Sequence, residues 1–313
     1  MTEVAIFLEG QNGLNWPRWQ RIAAAVEELG FAALYRSDHF TNQRPPDKDS
    51  LEMWISLTWL ASHTRRIEFG PLVSPVSFRH PAQTARMAAA VDDLSGGRLT
   101  LGLGAGWQER EHTNYGFDLL DISARFDRFE EGLEVITRLL KSEAPVDFNG
   151  RYYKLKDAIL LPRPQRKGGP PVLIGAKHTR RSLPLVARYA DEWNAFEISP
   201  ERFTDLNRQL DELLKAQGRR PEEVRRSLMT NCTFGRDEVE VRRKVEARTY
   251  ARLSVEEFRQ QGAFVGTADQ LVDQLGKWAE LGVQRVMLQW LDLDDLDGLE
   301  ALAKGLLGQS LSH

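Results

Sequence analysis

The sequence is poor in cysteine: Cys232 is the only one in 313 residues. A single thiol excludes an internal disulfide and any cysteine-clustered metal site. The chain also lacks an excess of one charge. With 42 Lys plus Arg against 45 Asp plus Glu, its formal net charge is −3, which excludes nucleic-acid binding driven by bulk charge. No apolar run approaches the ~20 residues needed to span a bilayer, so no membrane association is expected. The start, MTEVAIFLEG, has no basic segment, long apolar stretch or small-residue cleavage site, and a cytoplasmic location is the expectation. Metal motifs are missing as well. Glu109 and His112 stand three apart on a helical turn, but no second histidine completes an HExxH pattern, and no metal is expected.

What is present is a large apolar fraction, 42%, with eight Trp and fourteen Phe, enough for a sizeable folded core. Short apolar runs alternate with amphipathic stretches. Strands are expected at Val4–Leu8, Ala32–Arg36, Arg66–Val73, Arg98–Gly104, Pro171–Gly175, near Trp193, at Ser227–Phe234 and at Gln284–Trp290. Helical periodicity covers Trp16–Leu29, Leu51–Ser62, Pro81–Leu94, Arg125–Leu140, Arg180–Tyr189, Pro200–Gln217, Ala268–Leu281 and Leu296–Leu307. Eight strands, each followed by a helix, are the count of a (β/α)₈ barrel. A doubly wound sheet fits less well, because its first βα turn should carry a glycine fingerprint and here reads Glu9-Gly10-Gln11-Asn12-Gly13. Residues 1–313 therefore read as one barrel domain, with a Pro/Gly-punctuated insertion at about 142–171 and a charged helical excursion at about 236–262.

In such a barrel, chemistry is expected at the C-terminal ends of the strands. Those ends collect Glu9, Ser37-Asp38-His39, the segment from Pro71 to Phe78, Gly104 to Trp107 with Glu109 and His112, Gly175 to His178, Asn194, Glu197, Asn231 and Gln289. His39 is the most reactive-looking group, since an imidazole titrates near neutrality; the alternative is a loop histidine that caps backbone groups. Leu101 to Trp107 either turns a strand tightly or lets backbone approach a planar ligand. The stretch from Gly175 to Arg181 lies between strand and helix and reads as a phosphate site or as a plain helix cap.

The segments SDHF, FGPLVSPVSFRHPAQTARMAAAVDDLSGGRLTLGLGAGWQEREH, YGFD, RFEEGLEV and PPVLIG with RYADEWN follow in this order along nearly the whole chain. Together they resemble the luciferase-like monooxygenase superfamily, and within it the branch that uses the deazaflavin coenzyme F420. The resemblance implies a TIM barrel with an insertion, usually a homodimer, in agreement with the strand count. It implies an oxidoreductase that passes hydride between a small organic substrate and C5 of F420. An FMN-dependent monooxygenase is the alternative, and a catalytically silent flavin-binding protein the third reading.

The resemblance places His39 beside the reactive edge of the ring, next to Asp38, where it would bond the substrate oxygen or shuttle its proton. Glu9 and Glu109 are further acid candidates. A bulge with a non-prolyl cis peptide maps to Leu72-Val73, followed by Ser74, as a backstop behind the ring. Gly104, Ala105, Gly106, Trp107 and His112 fall beside the cofactor tail, and Gly175, Ala176, Lys177 and His178 on the phosphate-binding turn. Two positions depart from the pattern. Ala176-Lys177 replaces a turn richer in glycine, and Trp107 stands where sugar-phosphate dehydrogenases of the family carry a glutamate acid, which argues against that substrate class.

Overall fold

Apolar runs buried along their whole length form the inner wall of the molecule, and the amphipathic stretches wrap around it. The computed structural model describes residues 2–247 and 253–308. In chain order the first elements are β1 (Glu3–Leu8), α1 (Trp16–Glu28), β2 (Ala33–Arg36), α2 (Met53–His63), β3 (Glu68–Pro71), β4 (Ser74–Pro75), α3 (Pro81–Ser95) and β5 (Leu101–Gly104). After α4 (Glu109–Tyr115) and α5 (Ile122–Lys141), the insertion holds an antiparallel hairpin of β6 (Val146–Asn149) and β7 (Lys154–Ala158). The barrel resumes with β8 (Val172–Gly175), α6 (Ser182–Tyr189), β9 (Glu192–Phe196), α7 (Pro200–Ala216) and β10 (Arg225–Phe234). The excursion contributes α8 (Glu238–Glu246) and α9 (Val255–Gln260), and β11 (Phe264–Gly266) follows it before α10 (Ala268–Glu280), β12 (Arg285–Gln289) and α11 (Leu296–Leu307). No described helix is long and apolar enough to cross a membrane.

The parallel strands follow one another as β3-β2-β1-β12-β10-β9-β8-β5-β4, a nearly closed TIM barrel. Nine strands stand where the sequence pattern predicts eight, because the third stave is interrupted. Its two halves, β3 and β4, flank Leu72–Val73, whose peptide bond is cis. Phe69 of the first half bridges Leu99, and Ser74 of the second half pairs with Leu103, so both halves lean on the fourth stave. Glycine makes this seam possible. A Cβ at Gly70 would lie 1.9 Å from the Thr100 carbonyl oxygen, and one at Gly102 would lie 2.0 Å from that of Pro71. β11 is not apparent in the sequence pattern; it pairs with the far end of β10 at Cys232 to Phe234.

The barrel interior is filled by Ala5, Phe7, Ala33, Tyr35, Leu72, Leu173 and Met287, with Val73 and Met229 half-buried above them. Below this layer the strands begin with charged residues. Arg285, 1% exposed, donates from Nε to Glu3 at 2.7 Å, from Nη2 to Glu68 at 2.7 Å and from Nη1 to the Tyr35 hydroxyl at 2.6 Å. Its guanidinium also lies 3.7 Å from the buried Glu192 carboxylate, and Arg225 approaches Glu3 at 3.5 Å and Glu68 at 3.7 Å. Burial pushes the Glu192 carboxyl up, and the charge of Arg285 opposes that shift.

Replacing Arg285 with Met is expected to leave Glu192 as an uncompensated buried charge and to cost about 3–5 kcal/mol of stability. Equilibrium urea denaturation checks this; a loss below ~1 kcal/mol would mean that the strand starts are held together without it.

Candidate active site

The loops that leave the C-terminal ends of the staves build an open mouth. β2 ends at Arg36, whose buried guanidinium donates to the Ser56 hydroxyl at 2.7 Å and to the Leu51 carbonyl at 2.6 Å. Burial pushes that guanidinium down to about 10, against the opposing charges of Asp38 and Glu52. The loop after β2 is thereby tied to the segment before α2, and the Ser50 hydroxyl adds a bond to the His39 carbonyl.

His39 is fixed from its other side by α4. Its Nδ1–H donates to Glu111 Oε1 at 2.9 Å, while the Phe40 amide donates to Glu111 Oε2 at 3.0 Å. Glu111 is 1% exposed and the His39 side chain 14%. Burial pushes the imidazole down, but the hydrogen bond and charge of Glu111, with Glu9 and Asp38 behind it, outweigh that and hold its pKa above the ordinary 6.5. The Nε2 atom has no protein partner among the described residues, so it is the nitrogen left for a bound molecule. Trp107, 55% exposed, meets the His39 ring edge-on at 5.6 Å.

Other residues expected at the site fall into three positions. Asp38 is buried and spent on structure, accepting from Ser74 Oγ at 2.9 Å and from Arg79 at 2.5 Å, which joins the second and third staves. Glu9 closes a polar chain: Gln289 donates to it at 2.8 Å and Gln11 at 2.7 Å, and the Ser37 hydroxyl donates to Gln11. His112 is buried behind the Gly106 turn, its Nδ1–H donating to the Gln108 carbonyl at 2.7 Å and its Nε2 accepting from Ser77 at 2.8 Å. Burial first, and then the charges of Arg128 and Arg125, hold this second imidazole below its ordinary pKa.

The turn after β8 is organised by backbone. Ala176 is buried, donates to the Asn194 carbonyl at 3.0 Å and accepts from the Trp193 indole at 2.9 Å. Lys177 pairs with Glu197 at 2.8 Å and lies 4.7 Å above the Phe196 ring. His178 bonds through its main chain to Ser182, at the start of α6.

Glu109, singled out from the sequence, is exposed at the start of α4, whereas Glu111 is turned inward by the helix phase. The signal for Glu111 was present. Gln108, Glu111 and His112 share one buried face at i, i+3 and i+4. Arg79, which fixes Asp38, is likewise absent from the strand-end set, whereas Gln289, which belongs to it, is the residue that holds Glu9.

The family described as luciferase-like monooxygenase matches residues 2–285. An F420-dependent glucose-6-phosphate dehydrogenase of Amycolatopsis mediterranei (strain U-32) is 30% identical over 93% of this chain and 85% of its own length. Among solved structures, an F420-dependent secondary alcohol dehydrogenase in complex with an F420-acetone adduct superposes with a TM-score of 0.82 at 17% identity, covering 97% of this chain and 99% of that one. The monooxygenase RslO1 of Streptomyces bottropensis superposes equally, at 0.82 and 22% identity, over 98% and 99% of the two chains.

Because Glu111 is what raises the His39 pKa against burial, Glu111→Gln is expected to drop it below 6.5. The sign for stability follows. In the wild type the pair's contribution is full below the unfolded value near 6.5 and fades as pH rises through the higher folded value; in the variant, with the folded value below the unfolded one, the dependence reverses and stability is lost as pH falls. An NMR titration of the imidazole checks the shift, and an unchanged midpoint would remove Glu111 from the account.

Proposed function

The chain belongs to the luciferase-like monooxygenase family, and within it we propose an F420-dependent oxidoreductase that passes hydride between a small organic substrate and the deazaflavin. The observation that carries this reading is His39, held by Glu111 at a mouth whose wall is bare backbone. Gly104 and Gly106 let that wall pack closely on Val73 and on Ser77 with His112, and a Cβ added at Gly175 would meet only the Phe196 ring, at 3.6 Å. Val73 and Met229, half-buried, close the floor. A flat ring is the ligand we propose for this mouth. When bound, F420 supplies hydride transfer at C5; the chain supplies orientation and the proton.

Glu111 engages Nδ1 and so presents Nε2 of His39 to the substrate. In the protonated form this nitrogen donates to a carbonyl oxygen, and in the neutral form it takes the proton of a hydroxyl. Trp107 adds an exposed apolar edge beside it. An alcohol or ketone with an apolar substituent suits that edge better than a sugar phosphate, although an F420-dependent glucose-6-phosphate dehydrogenase is 30% identical. The assembly we propose is a homodimer, in which a second copy would cover Ile55 of α2 and Leu94 of α3, 58% and 52% exposed.

Fluorescence titration separates the cofactors: F420 is expected to bind in the low micromolar range or tighter, and FMN more weakly. FMN bound tenfold tighter than F420 would turn the assignment to a flavin monooxygenase, and binding without turnover across a broad substrate panel would favour a silent flavin-binding protein.

His39→Ala is expected to keep fold and cofactor affinity and to cut turnover by ~10²-fold or more, the scale of general acid–base help. It should also remove a titration from the rate profile, one lying above pH 6.5 because Glu111 raises it. His39→Gln should recover part of the rate if the imidazole only donates a hydrogen bond, and almost none if it moves a proton. Wild-type turnover in His39→Ala would reduce the residue to a loop cap.

A further inference from the structure

Two carboxamides at the strand ends, Asn231 and Gln289, have no part in the hydride chemistry. They stand side by side. β10 and β12 run parallel with Asn231 opposite Gln289 and, two residues earlier, Met229 opposite Met287. Met287 fills the barrel interior and Met229 packs against that layer, so the alternation of a strand turns Asn231 and Gln289 to the same inward face, one layer nearer the mouth. Both are half-buried. Neighbouring strands lie about 4.8 Å apart, close enough for two such side chains to reach one oxygen atom.

The direction of bonding at Gln289 is set from β1. The Gly10 amide donates to the Ser37 hydroxyl at 2.8 Å, that hydroxyl donates to Gln11 Oε1 at 2.7 Å, and Gln11 Nε2 donates to one oxygen of Glu9 at 2.7 Å. Gln289 Nε2 donates to the other oxygen of Glu9 at 2.8 Å. A carboxylate only accepts, so the amide nitrogen of Gln289 faces Glu9 and its carbonyl Oε1 is left over as an acceptor. No donor bonds to that oxygen among the described residues, and the Asn231 carboxamide makes no hydrogen bond to them either. An acceptor of fixed direction thus lies beside an amide that can turn to donate. Neither group is charged.

We propose that Asn231 and Gln289 determine specificity by holding a second oxygen of the substrate, a neutral hydroxyl remote from the oxygen that His39 serves. One hydroxyl satisfies both carboxamides: its hydrogen goes to Gln289 Oε1, and its oxygen accepts from Asn231 Nδ2. A carboxylate or a phosphate dianion has no hydrogen for Oε1 and would bring its charge toward Glu9, so the pair selects against both. A methylene in the same place leaves the two carboxamides unpaired. In the order β2-β1-β12-β10, three steps of about 4.8 Å separate the stave that carries His39 from that of Asn231, so the two oxygens of the substrate lie several bonds apart. The class that fits is a diol or hydroxyketone with an apolar body. That the hydroxyl belongs to the substrate rests on the oxidoreductase reading; the hydroxyl site does not.

The test measures, by ligand-observed NMR with and without F420, the binding of terminal diols from butanediol to decanediol and of the matching primary alkanols. Wild-type protein is expected to bind at least one diol about tenfold tighter than its alkanol, the scale of one well-made pair of hydrogen bonds. Asn231→Leu, which keeps the size and removes the polar atoms, should bring that ratio to about one, and Gln289→Met should lower it. Circular dichroism checks the fold of each variant, and Asn231→Ser, smaller and still polar, takes the place of Asn231→Leu if the latter does not fold and should lower the ratio as well. In turnover with F420 the loss should appear mainly as a higher KM for the diol, whereas His39→Ala lowers kcat. A ratio near one for every diol in the wild type overturns the assignment, as does a ratio that survives substitution of Asn231. If the ratio is present and lost on substitution in a protein that does not bind F420, the hydroxyl site stands and the cofactor reading falls. If F420 binds and no diol is preferred, the cofactor reading stands and the hydroxyl site falls.

Discussion

A parallel sheet rolled into a barrel has two unlike ends, and the structure depends on how the lower one is closed. Strands that all start at the same end bring their first residues together, with Arg285 and Glu192 buried at the centre and Glu3, Glu68 and Arg225 partly exposed around them. Here Glu3, Glu68, Glu192, Arg225 and Arg285 are each the first residue of a strand, and the Arg285 guanidinium joins carboxylates of three of them to the Tyr35 hydroxyl. Register follows from this knot. Glu3 pairs directly with Arg285 across the seam between first and last staves, and Arg225 with Glu192 two staves on. A slip of one residue would bury a carboxylate against apolar side chains, so the charges at the bottom set which residues reach the mouth at the top.

Much of the barrel was legible in the sequence because strands and helices differ in length and period, and Pro or Gly marks many joints. The pattern could not show where a strand breaks without changing its composition. FGPLVSP is apolar but for Ser74, and its pattern does not show the interruption between Pro71 and Ser74, which the resemblance maps to Leu72-Val73 and which close approach at Gly70 and Gly102 accommodates. FVG, at 264–266, was too short to register as a strand, and it pairs with an extension of β10 rather than with the barrel wall. In the site, the strand-end rule brought attention to His39 and Trp107, which the structure sets edge to face. It did not reach Glu111, since two glutamates two residues apart on a short helix look alike until the helix phase is known. Lys177 shows the reverse limit: a lysine on a turn reads as a free cation, and its neutralising partner Glu197 lies 20 residues away in sequence.

Charge at the mouth is divided by purpose. Asp38 with Arg79, and Lys177 with Glu197, are satisfied pairs that fix loop shape. Glu111 is attached to a group that changes protonation, so its charge has a variable partner. Arg125 and Arg128 have only carbonyl partners among the described residues. Satisfied pairs give stability, and a carboxylate beside an imidazole gives a titration.

The two bonds of Glu111, one to the His39 ring and one to the Phe40 amide, tie a side chain and a main chain to a single carboxylate. In evolutionary terms this makes position 111 hard to leave by single steps. Aspartate is one methylene too short to reach both donors, and a neutral replacement releases the ring even where it keeps the amide. Any lineage that abandons the glutamate must change the histidine and rebuild the loop in concert, so positions 39 and 111 are expected to be inherited together while the aromatic at 107 drifts with the substrate.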